Sequence, residues 1–242
     1  MSKRRLRIFA GPNGSGKSTI KSVISDSLLG YYLNPDEIEK EKNRQGYLDI
    51  RDFDISTNRN EIVRFFLDHP LTERSENSDF VHEITYVEKG FISFHKLGFD
   101  SYLSAILTDF LRHKLLNEGK SFTFETVMSS PDKIEILKKA QIEGYRTYLY
   151  YVATEDPLIN LLRIGHRVKS GGHNVPSEKV VSRYYRSLEL LFEAVKHTDR
   201  TFIFDNSGDN KIWIAEIVGG TEINLQTEEI PAWFQKYILD KI

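Results

Sequence analysis

The chain has no cysteine among its 242 residues. That excludes a disulfide framework, thiol catalysis and a Cys-ligated metal. It has no excess of either charge: 33 Lys and Arg stand against 35 Asp and Glu, for a formal net charge of −2. Without a basic stripe, nothing announces a nucleic-acid partner, and a small phosphorylated or sugar-like substrate suits such a chain better. Long hydrophobic runs are also missing. The opening MSKRRLRIFAG is basic, but its apolar run is short. It reads as neither a signal peptide nor a membrane span, so no membrane partner is expected and the cytoplasm is the expected compartment. The histidines, at 69, 82, 95, 113, 166, 173 and 197, do not have the spacing of a metal site. No internal repeat, low-complexity tract or heptad array is present.

What is there is a glycine-rich loop. Residues 5–10 (RLRIFA) read as an apolar strand, and Gly11-Pro12-Asn13-Gly14-Ser15-Gly16-Lys17-Ser18-Thr19 follows at once. The spacing G-x-x-x-x-G-K-S is the P-loop signature of nucleoside triphosphate binding. Gly11, Gly14 and Gly16 let backbone approach a polyphosphate without a Cβ in the way. Loop amides and the start of a helix over residues 19–28 then point at negative charge. Lys17 reaches the β- and γ-phosphates, and the Ser18 hydroxyl ligates Mg²⁺. ATP and Mg²⁺ are therefore the expected cofactors.

With 40% hydrophobic residues the chain can bury a sizeable core, and we expect a single domain over 1–242. Residues 31–34 read as a second strand, and Pro35-Asp36-Glu37 starts a helix. In a parallel α/β sheet, ligands bind at the carboxyl ends of strands. Asp36 is thus either a helix-capping residue or a general base taking a proton from a substrate hydroxyl. Residues 45–100 are less orderly. They hold a helix over 58–67 and a hairpin of 81–87 with 91–95, and read as an insertion: a lid, a substrate-side element or peripheral packing. A helix over 102–116 and a strand over 121–124 follow, with Glu125 and Thr126 at the strand tip, able to bind substrate hydroxyls or simply to end a strand.

Further on, residues 131–141 read as a crossover helix and 145–153 as a strand. Glu155-Asp156-Pro157 is a strong helix start. Arg163 and Arg167 lie four apart on that helix. Ser170-Gly171-Gly172-His173-Asn174 breaks it before a helix over 176–196, where Arg183 and Arg186 flank the apolar face. Helices joined by a Gly-Gly hinge and carrying arginines fit a lid that neutralises a transferring phosphoryl group, or a pair of solvated basic faces. Residues 201–206 and 211–218 are further strands, and 231–239 a terminal helix. The order of elements defines a three-layer α/β P-loop NTPase/kinase fold, with a central mostly parallel sheet flanked by helices and an insertion after the second strand.

These residues resemble the zeta toxin family of P-loop kinases. The matching pieces are AGPNGSGKST, NPDEI at 34–38, FTFET at 122–126, HRVKSGGHNVPSEKVVSRYYRSL at 166–188 and FDNSG at 204–208, in family order. The resemblance implies a kinase that phosphorylates a hydroxyl of a nucleotide-sugar such as UDP-N-acetylglucosamine, with a separate antitoxin protein as partner. It places the base on Asp36 beside Asn34, the P-loop lysine on Lys17, the substrate-contacting glutamate on Glu125 next to Thr126, and a lid arginine on Arg167 with Arg163 one turn before. The family's second lid arginine falls where this chain has Gly172-His173, which passes that role to Arg183 or leaves it unfilled. Relatives of this fold phosphorylate other nucleotides, including NAD. A P-loop ATPase switch, with Asp205 as the magnesium-side carboxylate, is the alternative class.

Overall fold

The computed structural model describes residues 3–21, 24–76, 81–82, 84–87, 90–94, 99–171 and 175–242. In chain order the strands and helices are β1 (Arg5–Ala10), α1 (Asp26–Leu29), β2 (Tyr31–Leu33), α2 (Pro35–Gln45), β3 (Tyr47–Asp49), α3 (Arg59–Asp68), β4 (Ile84–Val87), β5 (Phe91–Phe94) and α4 (Ser101–Asn117). They continue with β6 (Phe122–Thr126), α5 (Asp132–Ile142), β7 (Arg146–Ala153), α6 (Pro157–Lys169), α7 (Ser177–Lys196), β8 (Arg200–Asp205), β9 (Ile212–Val218), β10 (Glu222–Leu225) and α8 (Ala232–Tyr237). The chain forms two compact units, one of Met1–Leu29 with Glu125–Ile242, the other of Gly30–Phe124. Strand β6 crosses the boundary, so Glu125 and Thr126 belong to the first unit.

In the first unit the strands lie in the order β10-β9-β8-β7-β1. β1 pairs parallel with β7, Arg5 opposite Arg146 and Ala10 opposite Tyr151, and β7 pairs parallel with β8. β9 and β10 extend the sheet antiparallel. Leu6, Ile8, Phe9, Leu149, Tyr151 and Ile203 are each fully buried, as near-continuous apolar strands of a covered parallel sheet should be. The α6 start forms as its sequence directs: the Asp156 side chain accepts from the Leu158 amide at 2.7 Å, with Pro157 in the first turn. On α7, Val180, Tyr184, Leu188, Leu191 and Val195 form the buried stripe.

In the second unit, β2 pairs parallel with β6. Helix α2 is capped by Asn34, whose Oδ1 accepts from the amides of Asp36 at 2.9 Å and Glu37 at 3.4 Å. Helix α4 buries Leu103, Ile106, Leu107, Phe110, Leu111 and Leu115. β4 and β5 form the expected hairpin, its Glu88-Lys89 turn and His95 lying outside the described residues. β3 adds to β5 to make a small antiparallel sheet. Parallel strands flanked by helices are the α/β class that the element order implies. β3 and β10, by contrast, were not legible from the pattern.

Candidate nucleotide site

The chain leaves β1 through Gly11, at φ +140°. A Cβ on Gly11 would stand 2.0 Å from the backbone carbonyl oxygen of Val152 on the neighbouring strand, so the loop can leave the sheet this close only as glycine. Pro12 is buried, and its carbonyl accepts from the Ser15 amide at 3.2 Å, closing the first turn. Lys17 curls back over that turn: its Nζ donates to the carbonyls of Gly11 at 2.8 Å and Pro12 at 2.9 Å. The ammonium is thus held on the loop itself.

Two asparagines brace the loop from outside. Asn160, fully buried on α6, donates from Nδ2 to the Asn13 carbonyl at 2.6 Å, while its Oδ1 accepts from the Thr154 hydroxyl. Asn206, just past β8, donates from Nδ2 to the Ser15 carbonyl at 2.8 Å. These braces also explain two glycines, since a Cβ on Gly14 would meet the Asn160 carbonyl oxygen at 2.7 Å and one on Gly16 the Asn206 amide at 2.4 Å. Arg163 fixes Asn206 in turn, donating to the carbonyls of Asn206 at 2.7 Å and Gly208 at 3.3 Å. Neither asparagine stood out in the sequence as a site residue. FDNSG at 204–208 was the one signal for Asn206, and Asn160 had none.

Two buried polar atoms of the loop, Asn13 Oδ1 and Ser15 Oγ, have no hydrogen-bond partner among the described residues. Buried polar groups are normally paired. A loop with preset curvature, an ammonium at its mouth and unpaired polar atoms fits a polyphosphate.

At the far end of the loop, Ser18 Oγ lies 3.5 Å from Glu125 Oε2. Glu125 is only 7% exposed, at the tip of β6. The two oxygens are close to the spacing of about 3 Å that adjacent ligands of an octahedral Mg²⁺ adopt. Among the described residues no group of three or more His, Cys, Asp or Glu side chains gathers to hold a metal. An open depression of about 430 Å³ adjoins Ser18, lined by Lys21, Ile24, Ser25 and Asp26. Next to Glu125, the Thr126 hydroxyl accepts from the Met128 amide at 3.0 Å and helps hold Met128 at φ +53°, an uncommon conformation for a non-glycine residue.

The remaining predicted residues lie on other elements. Asn34 and Asp36 belong to the second unit, Asp36 exposed in the first turn of α2 and Asn34 acting as its cap. Arg167 is exposed in the last turn of α6, and Arg183 is half-buried on α7. Of the hinge between them, Gly171 is in a left-handed turn at φ +84°, while Gly172, His173 and Asn174 lie outside the described residues. The helix expected over 19–28 differs. Lys17–Thr19 form a single 3-10 turn and α1 spans only Asp26–Leu29, with residues 22–23 outside the described set. Residues 17–25 (KSTIKSVIS) are rich in serine and β-branched residues, which form helix poorly. Asp205 is engaged elsewhere: it is buried and accepts from the Ser207 amide at 2.8 Å, the Ser207 hydroxyl at 3.0 Å and Trp233 Nε1 at 2.7 Å. Beside it, burial and the Asp205 charge push the Glu155 carboxyl above its ordinary range.

Fold and loop together are those of the P-loop nucleotide-binding class. Residues 103–217, just under half of the chain, match the family described as Zeta toxin, and that match supports a phosphotransferase. A Haemophilus influenzae protein described only as uncharacterized is 26% identical over 176 residues, which span 73% of this chain and 89% of that protein. Among solved structures, a chain of the AvrRxo1-ORF1:AvrRxo1-ORF2 complex has a TM-score of 0.52 at 15% identity, over 93% of this chain and 61% of that one. The same complex has been solved with ATP, at a TM-score of 0.51, 15% identity and the same coverage. At that identity the likeness speaks to the fold. A chain of the PezAT toxin–antitoxin system of Streptococcus pneumoniae is also similar, at a TM-score of 0.48 and 13% identity over 87% of this chain and 72% of that one.

Proposed function

We propose that the protein transfers the γ-phosphoryl group of ATP to a hydroxyl of a small molecule, with a nucleotide-sugar of the UDP-N-acetylglucosamine type as the first candidate acceptor. The observation that carries this reading is the pairing of a braced P-loop, Lys17 at its mouth, with the Ser18–Glu125 oxygens at its end. Gly11, Pro12, Asn13, Gly14, Ser15, Gly16 and Thr19 supply the cradle, and Lys17 neutralises the β- and γ-phosphates. Ser18 and Glu125 would hold Mg²⁺, which when bound draws charge from the bridging phosphate oxygens.

Asp36 takes the acceptor's hydroxyl proton as the oxygen attacks phosphorus and the bond to ADP breaks. Asn34 and Thr126 contribute on the acceptor side. Arg167 and Arg183 neutralise the transferring group, and Arg163 acts through the 206–208 turn that it anchors. Residues 45–100 are the substrate-side insertion. A separate antitoxin is the partner that this family reading carries. The match to the family described as Zeta toxin supports the kinase assignment.

The test is to incubate the chain with labelled ATP and a panel of UDP-sugars, nucleotides and NAD. Label should appear on one acceptor class in the presence of Mg²⁺ and be lost in Lys17→Ala and Asp36→Asn. Acceptor-independent hydrolysis that survives Asp36→Asn would overturn the transfer and leave an ATPase.

A further inference from the structure

Lys211 stands immediately before β9, at the end of the turn that Asn206 and Arg163 fasten to the loop. Its Nζ donates to the hydroxyl of Thr19, the last residue of the P-loop, 192 positions away in sequence. Thr19 Oγ1 itself donates to the Gly16 carbonyl at 2.8 Å. Two ammonium groups therefore attend the same loop from different sides: Lys17 on its first turn, through Gly11 and Pro12, and Lys211 on its last residue. Sequence alone gave Lys211 no role.

No carboxylate pairs with Lys211 among the described residues. Partial burial holds its pKa below the ordinary lysine range. A cation withdrawn from water without a counter-charge is unfavourable unless an anion completes the site. The anion this location implies is a phosphate. Ser18 and Thr19 are adjacent in a 3-10 turn, so their side chains point about 120° apart. Ser18 faces Glu125, where the Mg²⁺ of the proposed reading would be held. Thr19, with Lys211 on its hydroxyl, faces away from the reacting end.

We propose that Lys211 is a second cationic nucleotide-binding residue, which pairs with the α-phosphate while Lys17 serves the β- and γ-phosphates. The assignment rests on the nucleotide reading of the loop but not on the identity of any acceptor. The α-phosphate is common to ATP and ADP, so Lys211 contributes equally to both. It strengthens nucleotide binding without discriminating substrate from product.

The experiment is calorimetric titration of the full chain with ATP and with ADP, comparing the parent with Lys211→Met, Lys211→Arg and Lys17→Met. Lys211→Met should lose about tenfold or more in affinity for both nucleotides, by a similar factor, as expected for a lost charge-assisted hydrogen bond. Lys211→Arg should recover most of the loss. Lys17→Met should weaken ATP more than ADP. An unchanged thermal midpoint in Lys211→Met separates lost pairing from lost folding, and with a lowered midpoint the recovery in Lys211→Arg decides. Affinity within twofold of the parent in Lys211→Met would overturn the assignment, as would a loss confined to ATP. A parent chain that binds neither nucleotide would overturn the reading of the loop itself, and this inference with it.

Discussion

The Asn206 side-chain amide donates to the Ser15 carbonyl at 2.8 Å, joining residues 191 positions apart. It is a long-range clamp on a local motif. Removing it in Asn206→Ala should cost about 1–2 kcal/mol of stability, the range for losing a hydrogen bond to a buried partner. Nucleotide affinity should fall as well, because the loop must then be ordered on binding. Urea melts and ATP titration measure the two effects, and an Asn206→Ala chain that binds ATP like the parent would remove the clamp from the account.

Gly11→Ala is a steric test. The new Cβ would meet the Val152 carbonyl oxygen at 2.0 Å, backbone against backbone, at a φ of +140°. No side chain can swing aside, so the sheet or the loop must move. We expect more than about 3 kcal/mol of destabilisation, in the range of severe overpacking. The readout is a lowered denaturant midpoint with an unchanged slope.

Ser18→Ala and Glu125→Gln examine the other end of the loop. If both oxygens hold one cation, each change should lower transfer by about a hundredfold and raise the Mg²⁺ concentration needed for half-maximal rate. The double variant should be little worse than either single one, since the two act as a unit. Additive losses would separate their roles.

Lys42 gives a pH prediction in the second unit. Its side chain is 2% exposed with the ammonium 4.8 Å from the centre of the Phe99 ring, and burial pushes its pKa down from 10.5 to about 8. Below pH 8 both folded and unfolded chains hold the proton, so the desolvation penalty is present in full. Between about 8 and 10.5 the unfolded chain binds more protons, and stability must rise with pH across that window. The comparison is the difference between the parent and Lys42→Met in urea melts from pH 7 to 10.5, which should shrink as pH rises. A difference that does not change with pH would show that Lys42 does not titrate there.

The P-loop was legible because its signal is contiguous: strand, glycines, lysine and hydroxyl follow one another within residues 5–19. The starts of α2 and α6 were legible for the same reason, Pro35 and Asp156-Pro157 being local punctuation. The braces were not. Asn160 reaches Asn13 across 147 positions, and Lys211 reaches Thr19 across 192. An isolated asparagine or lysine has no periodicity or spacing to mark it. β3 (YLD) and β10 (EINL) were missed because neither carries an apolar or β-branched run to mark it, unlike the equally short β2, β4 and β5. The helix expected over 19–28 followed from the P-loop pattern, whereas α1 spans only Asp26–Leu29, and the serines and β-branched residues before it form helix poorly.

Helix α6 touches the site at more than one level. Asn160 holds Asn13 and Arg163 holds the 206–208 turn, while Arg167 projects from the final turn of the same rod. Mechanically that is a lever with its fulcrum near the loop and its handle at the arginine. Arg167 and Asn160, which holds the Asn13 carbonyl, lie about two turns apart on that helix, so one continuous rod connects the arginine to the loop.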